Sequence, residues 1–166
     1  PMTQMADRIA QAPEAARRGV LSNEAYVSLL SAAVLEEEPA ADTVATADLL
    51  RTASAAPTAE QRVEALRKLW GGADGTNADK RYAAMVLTAR AAAAMPVGAD
   101  LGDDLHWLIG SMLAGGYDRN ALAWVPTVSI GSRAWGVMAV GLPRPLKDVT
   151  ADSVDDFSGD DDSANY

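Results

Sequence analysis

The chain has 166 residues, 34 of them Ala, with one Phe and no Cys. That length suits one domain with a core large enough to need no covalent staple, and the lack of Cys excludes disulfides and thiolate sites. The net charge of −9 is unevenly spread: all 14 Lys and Arg lie in residues 1–147 with 16 of the 23 acids, so the body carries −2 and the seven Asp beyond carry −7. A body with no basic stripe cannot neutralise a phosphate backbone, and no nucleic-acid partner is expected.

The apolar positions recur with helical spacing almost throughout. Met2, Met5, Ile9 and Ala12 share one face, with Pro13 expected to end that helix or to begin a short one, and Arg17, Arg18 and Gly19 reading as a C-terminus. Ser22 or Asn23 caps a helix whose buried face is read as Ala25, Leu29, Leu30, Ala33 and Val34. Glu36, Glu37 and Glu38 follow, three carboxylates at the unfavourable end of the helix dipole, before Pro39. Asp42 is the expected cap of a helix bearing Val44, Ala47 and Leu50. Thr58-Ala59-Glu60-Gln61 has capping-box spacing and opens a helix with Val63, Leu66, Leu69 and Trp70, stopped by Gly71-Gly72. Residues 72–77 read as a turn, without the alternating oxygen ligands of a calcium loop. Thr76 or Asn77 then caps a long helix with Tyr82, Met85, Val86, Ala89 and Ala93 on one face, ending at Pro96 and Gly98.

Residues 102–141 hold three of the four Trp and the only His. Leu101, Leu105, Leu108, Ile109, Met112 and Leu113 give one helical face, and Gly115-Gly116 stop it. Asp118 is read as the cap of a short helix closed by Pro126. Ser132 opens another, with Trp135, Met138, Ala139 and Leu142, ended by Pro143 and Pro145. Gly110, Ser111 and Ala114 leave room for a second helix to approach closely, and this stretch is expected to be the hub of the fold. Residues 125–130 are a weak strand candidate. No apolar run is long enough to span a bilayer.

The expected architecture is therefore all-α: an irregular array of seven or eight short helices packed as antiparallel hairpins, either α-solenoid-like or an orthogonal bundle, over residues 1–147. Residues 148–166 are expected to form a disordered acidic tail, since Val149, Val154, Phe157 and Tyr166 stand isolated among Asp, Ser and Ala. No repeat period or family signature emerges. Pro1 in place of an initiator Met is compatible with a processed end and export; the cytoplasm is the default expectation.

The chemistry-bearing residues are few. His106 follows Asp103 by three residues, a spacing that lets an acid orient an imidazole for proton transfer, with Ser111 or Ser132 as the nucleophiles to consider; no nucleophile-elbow motif accompanies them. Glu24, Glu36 to Glu38, Glu60 and Glu64 supply the carboxylates a glycoside-hydrolysing pair would need. One His and no Cys point to no metal site, and no cofactor motif is present. Tyr117, Arg119, Trp124 and Arg133 are the residue types that anchor interfaces, so they form the expected partner-binding surface. Phe157 between acidic residues reads as a tail docking element. The leading expectation is a non-enzymatic helical scaffold for a protein or peptide partner. A small hydrolase using His106 or a Glu pair, and a self-associating subunit joined through the Gly, Ala and Trp faces of residues 102–141 as a homo-oligomer, are the alternatives.

Overall fold

The computed structural model describes residues 2–71, 77–144, 146, 150, 152, 154 and 157, and the side chains of all of these but Met2 and Thr3. The described residues form eight α-helices: α1 (Met2–Arg17), α2 (Asn23–Val34), α3 (Ala41–Ala55), α4 (Ala59–Gly71), α5 (Ala78–Ala93), α6 (Leu105–Ala114), α7 (Asp118–Ala123) and α8 (Arg133–Gly141). Single 3-10 turns precede α6 (Gly102–Asp104) and follow α7 (Val125–Thr127), and no strand occurs among the described residues. The fold is all-α, and the strand candidate at 125–130 begins instead as a 3-10 turn that places Pro126 where its missing N–H is harmless.

Four of the eight helix starts follow from a short polar side chain. Ser22 Oγ accepts from Ala25 N, Asn77 Oδ1 from Lys80 N and Ser132 Oγ from Trp135 N, each satisfying a backbone donor that has no intrahelical partner. Thr58 Oγ1 accepts from Gln61 N at 3.3 Å, the Thr half of the capping box. Three expected boundaries differ. Asp118 is the first residue of α7, whose N-cap is Tyr117 with no side-chain bond. Asp42 lies in the first turn of α3, whose N-cap is Ala40 with no side-chain bond. Pro13 lies inside α1 rather than ending it. An interior Pro costs about 3 kcal/mol, and the helix continues because Ala12 and Ala16, on either side of it, are each 1% exposed, with Ala16 packed against Ala83 and Val86 of α5.

The hub is α5, which packs against α1, α2, α3, α4 and α6. The expected hub, residues 102–141, supplies its largest neighbour: α6 lies on α5 and carries α7 and α8 on its other sides. Alanine explains the difference. Ala83, Ala89, Ala91 and Ala92 are buried on several sides of α5 along with Met85, Val86, Leu87 and Thr88, so α5 is apolar nearly all round and has no single face to announce burial. Close approach of α5 and α6 depends on glycine. A Cβ on Gly110 would stand 3.1 Å from Met85 Sδ, and one on Gly115 would stand 2.3 Å from Ala89 Cβ.

A buried polar network ties three helices across this seam. Trp70 Nε1 of α4 donates to Thr88 Oγ1 of α5 at 3.0 Å, and Thr88 Oγ1 shares a 3.0 Å bond with Ser111 Oγ of α6. Each hydroxyl carries a single proton, and the Ala84 and Trp107 carbonyls, at 2.7 Å each, compete for these two protons with the Thr88–Ser111 contact. Trp70 also stacks on Trp107 with centroids 6.3 Å apart. Arg62 and Asn120 then close the C-terminal end of α5: Arg62 Nη2 donates to Ala94 O and Asn120 Nδ2 to Ala93 O. Arg67 joins α4 to the start of α6 through Asp104 Oδ2 at 2.7 Å and the Leu101 carbonyl at 2.9 Å.

The α2–α3 pair is seated more lightly. A small satellite core of Leu30, Leu50 and Leu87 holds it to α5, assisted by Asn23 Nδ2, which donates to the Val86 and Leu87 carbonyls. The buried face of α2 is turned from the expected one: Ala25 is exposed, and Tyr26 and Val27 face the satellite core. At the other end of the chain, Val154 N donates to Thr150 O and Phe157 N to Val154 O, a turn of helical bonding. Of the expected tail, residues 148, 149, 151, 153, 155, 156 and 158–166 lie outside the described residues.

Candidate functional site

Three helices each turn a stripe toward one groove. Val27, Leu30 and Val34 of α2, Ala47, Leu50, Arg51 and Ser54 of α3, and Leu87, Arg90 and Ala91 of α5 with its C-cap Ala94 line a cleft of about 730 Å³. On α3 and α5 the spacing is i, i+3, i+4, i+7, the pattern by which a helix addresses a neighbouring helix. The groove exists because the satellite core is small: Leu30, Leu50 and Leu87 meet at its floor, while Val34 and Leu35 beyond them join no core cluster among the described residues. Leu35, at the groove's end, is 85% exposed. The charged lining residues are both cations. Arg51 is held by Asp48 at 2.6 Å across an exposed surface, and the Arg90 side chain has no ion pair among the described residues. Asn23 closes the other end. Its Nδ2 is doubly bonded to α5 carbonyls, and its Oδ1 is buried with no partner among the described residues.

A second cleft, of about 550 Å³, lies between the start of α6 and the start of α8. It gathers Asp103, His106, Ser129, Ser132 and Arg133, so the structure does bring His106 and Asp103 together. The contact is not an acid–imidazole pair, because His106 Nδ1 lies 2.7 Å from the Asp103 carbonyl oxygen. That carbonyl can only accept, so Nδ1 carries a hydrogen. Of the two candidate nucleophiles, Ser132 caps α8 and Ser111 is fully buried in the polar network with Thr88. The expected role for Ser111 is thereby corrected. No Glu lines this cleft or the groove. Glu60 is exposed at the start of α4, where the helix-end N–H and Thr58 hold its carboxyl below the ordinary value. No cluster of three or more metal-ligating side chains occurs among the described residues.

The expected partner surface is divided. Arg119 is exposed on α7 and Tyr117 is half-buried beside Gly115. Arg133 is exposed at the rim of the His106 cleft, which it lines. Trp124 is 2% exposed and belongs to the main core, which corrects its assignment as a surface anchor. An indole just before a Pro-containing turn is drawn inward by the apolar area it can bury. The glycine faces expected for self-association meet the chain's own side chains: Gly110 meets Met85, Gly115 meets Ala89, and Gly141 meets Leu113. Phe157 is half-buried on α8, its ring 6.3 Å from that of Trp135. A Cβ on Gly136 would come within 2.8 Å of the Phe157 ring, so the absent side chain makes the notch in which Phe157 rests.

The α2–α3–α5 groove was missed in the sequence because no single segment encodes it. Val27, Leu50 and Leu87 are each ordinary core positions until three helices are placed together. No helix among the described residues is long and apolar enough to cross a membrane. No protein-family model, no curated protein and no solved structure matches the chain.

Proposed function

We propose that the chain is a non-enzymatic helical binding module, and that the groove between α2, α3 and α5 receives an amphipathic helix of a protein partner. One observation carries this reading: stripes from three helices converge on an open groove whose fourth wall is missing. A partner helix with apolar residues at i, i+3, i+4 and i+7 would complete the packing. From Val27 to Val34 the α2 stripe spans about 10 Å, two turns at 1.5 Å per residue. Arg51 and Arg90 on the rim favour acidic side chains flanking that apolar stripe.

The test is a display library of helical peptides, with randomised stripes on an Ala background, selected on the full chain. An Ala47→Trp/Ala91→Leu variant, which fills the groove, serves as the counter-target. Ligands that bind the wild type, lose binding to the filled variant and carry Asp or Glu beside an apolar stripe are expected. Ligands that bind both proteins equally would overturn the site.

A hydrolase is a second reading, favoured by the cleft that holds His106 with Ser129 and Ser132. Turnover of p-nitrophenyl esters that disappears in His106→Gln would support it, and equal rates in the two proteins would remove it.

A further inference from the structure

On the opposite side of the satellite core lies a smaller pocket of about 350 Å³, lined by residues from α1 to α5. Its floor is apolar, with Leu49, Leu69, Leu87 and Ala84 contributing from three helices. Its charged lining residues are Lys68 and Lys80, and no carboxylate lines it, although acids outnumber bases by 23 to 14 in the chain. We infer that this pocket binds a small amphiphile with an apolar body and a single carboxylate head, the body on the leucines and the head between Lys68 and Lys80.

The nearby acids do not cancel the two cations. Asp79, next to Lys80, is taken by Arg17 of α1, and Lys80 has no ion pair among the described residues. Lys68 reaches Glu64 at 3.4 Å, with both side chains 59% exposed. A pair so open to water is weak, so Lys68 can turn to a ligand. Tyr26 also lines the pocket. Burial pushes its phenol above the usual tyrosine range, so its hydroxyl stays a hydrogen-bond donor and adds no competing negative charge. One free ammonium and one shared with Glu64 match a single negative charge better than the double charge of a phosphate monoester. An apolar floor under two cations separates this site from a plain surface lysine pair, because it rewards a ligand that has both parts.

Calorimetric titration of the full chain with octanoate and with octan-1-ol tests the inference. Octanoate is expected to bind the wild type more tightly than octanol. Lys68→Glu/Lys80→Glu is expected to weaken octanoate by about tenfold or more while leaving octanol within about twofold. Ala84→Phe, checked for folding by circular dichroism, is expected to weaken both. The two lysines are on the protein surface, so the charge variant tests the site even if Ala84→Phe does not fold. Equal wild-type affinity for the two probes, no octanoate binding at millimolar concentration, or octanoate binding unchanged in the lysine variant would each overturn the inference.

Discussion

Replacing Gly115 by Ala is expected to be among the most disruptive single-methyl changes in the chain. The new Cβ would stand 2.3 Å from Ala89 Cβ and 3.0 Å from Tyr117 Cδ2, whereas carbon atoms rest at about 3.5–4.0 Å. More than an ångström must therefore be found by moving helices. Ala89 has no rotamer to change and is fully buried. Backbone conformation is not the obstacle, since Gly115 has φ −94°. Overpacking of this kind costs about 1–3 kcal/mol, and here the upper part of that range applies. Ala89→Gly removes the obstructing methyl at its own cost of about 2 kcal/mol, from helix propensity and one lost buried methyl. The double variant should then resemble Ala89→Gly alone, giving a favourable coupling of about 1–3 kcal/mol. Urea unfolding followed by far-UV circular dichroism measures all four proteins. A Gly115→Ala protein within about 0.5 kcal/mol of wild type, or strict additivity in the double variant, would refute the close approach of α5 and α6.

Thr88→Val keeps the shape of a fully buried side chain but strands the Trp70 N–H, and is expected to cost about 1–3 kcal/mol in urea unfolding. Trp70→Phe should then cost less in the Thr88→Val background than in wild type. Tyr26 titrates above its ordinary value because it is buried, so the folded state holds the phenol proton more tightly than the unfolded state does. That stabilisation is complete below about pH 10, the unfolded value, and is lost as pH rises through the folded one. Urea midpoints of wild type and Tyr26→Phe should accordingly diverge only above about pH 10, where the free phenol of the unfolded wild type begins to ionise. Phe157→Ala opens the α8 notch and uncovers Trp135. It should shift tryptophan emission to the red and cost about 1–2 kcal/mol, and the shift should vanish in a Trp135→Phe background.

Local chemistry was legible in the sequence, and long-range assembly was not. Ser22, Asn77 and Ser132 act as caps because that role needs only a short side chain three residues before an N–H. Gly116 ends its helix with φ +76°, a conformation read directly from its lack of a Cβ. The face of α4 followed its apolar spacing, whereas α6 is buried on most of its sides, His106, Trp107 and Ser111 included. The hub showed no such spacing, because α5 is built largely from Ala, and a helix apolar on every side has no periodic contrast to read. Pro13 was misplaced because its local cost is overruled by the burial of Ala12 and Ala16 on either side of it. Trp124 was read as an interface anchor on residue type alone, and type does not distinguish a core indole from an exposed one. His106 and Asp103 were correctly paired in space, but through a backbone carbonyl that no side-chain spacing rule reveals.

The groove between α2, α3 and α5 is tested most directly by methyl NMR of the full chain, with Leu and Val labelled, titrated with a helical peptide selected as above. The account predicts that the Val27, Leu30, Leu50 and Leu87 methyls shift together and saturate at one affinity, while Leu108 and Leu142 in the main core stay in place. Shifts confined to Leu105 beside His106, or to Leu122 on α7, with Leu30 and Leu50 unmoved, would contradict it.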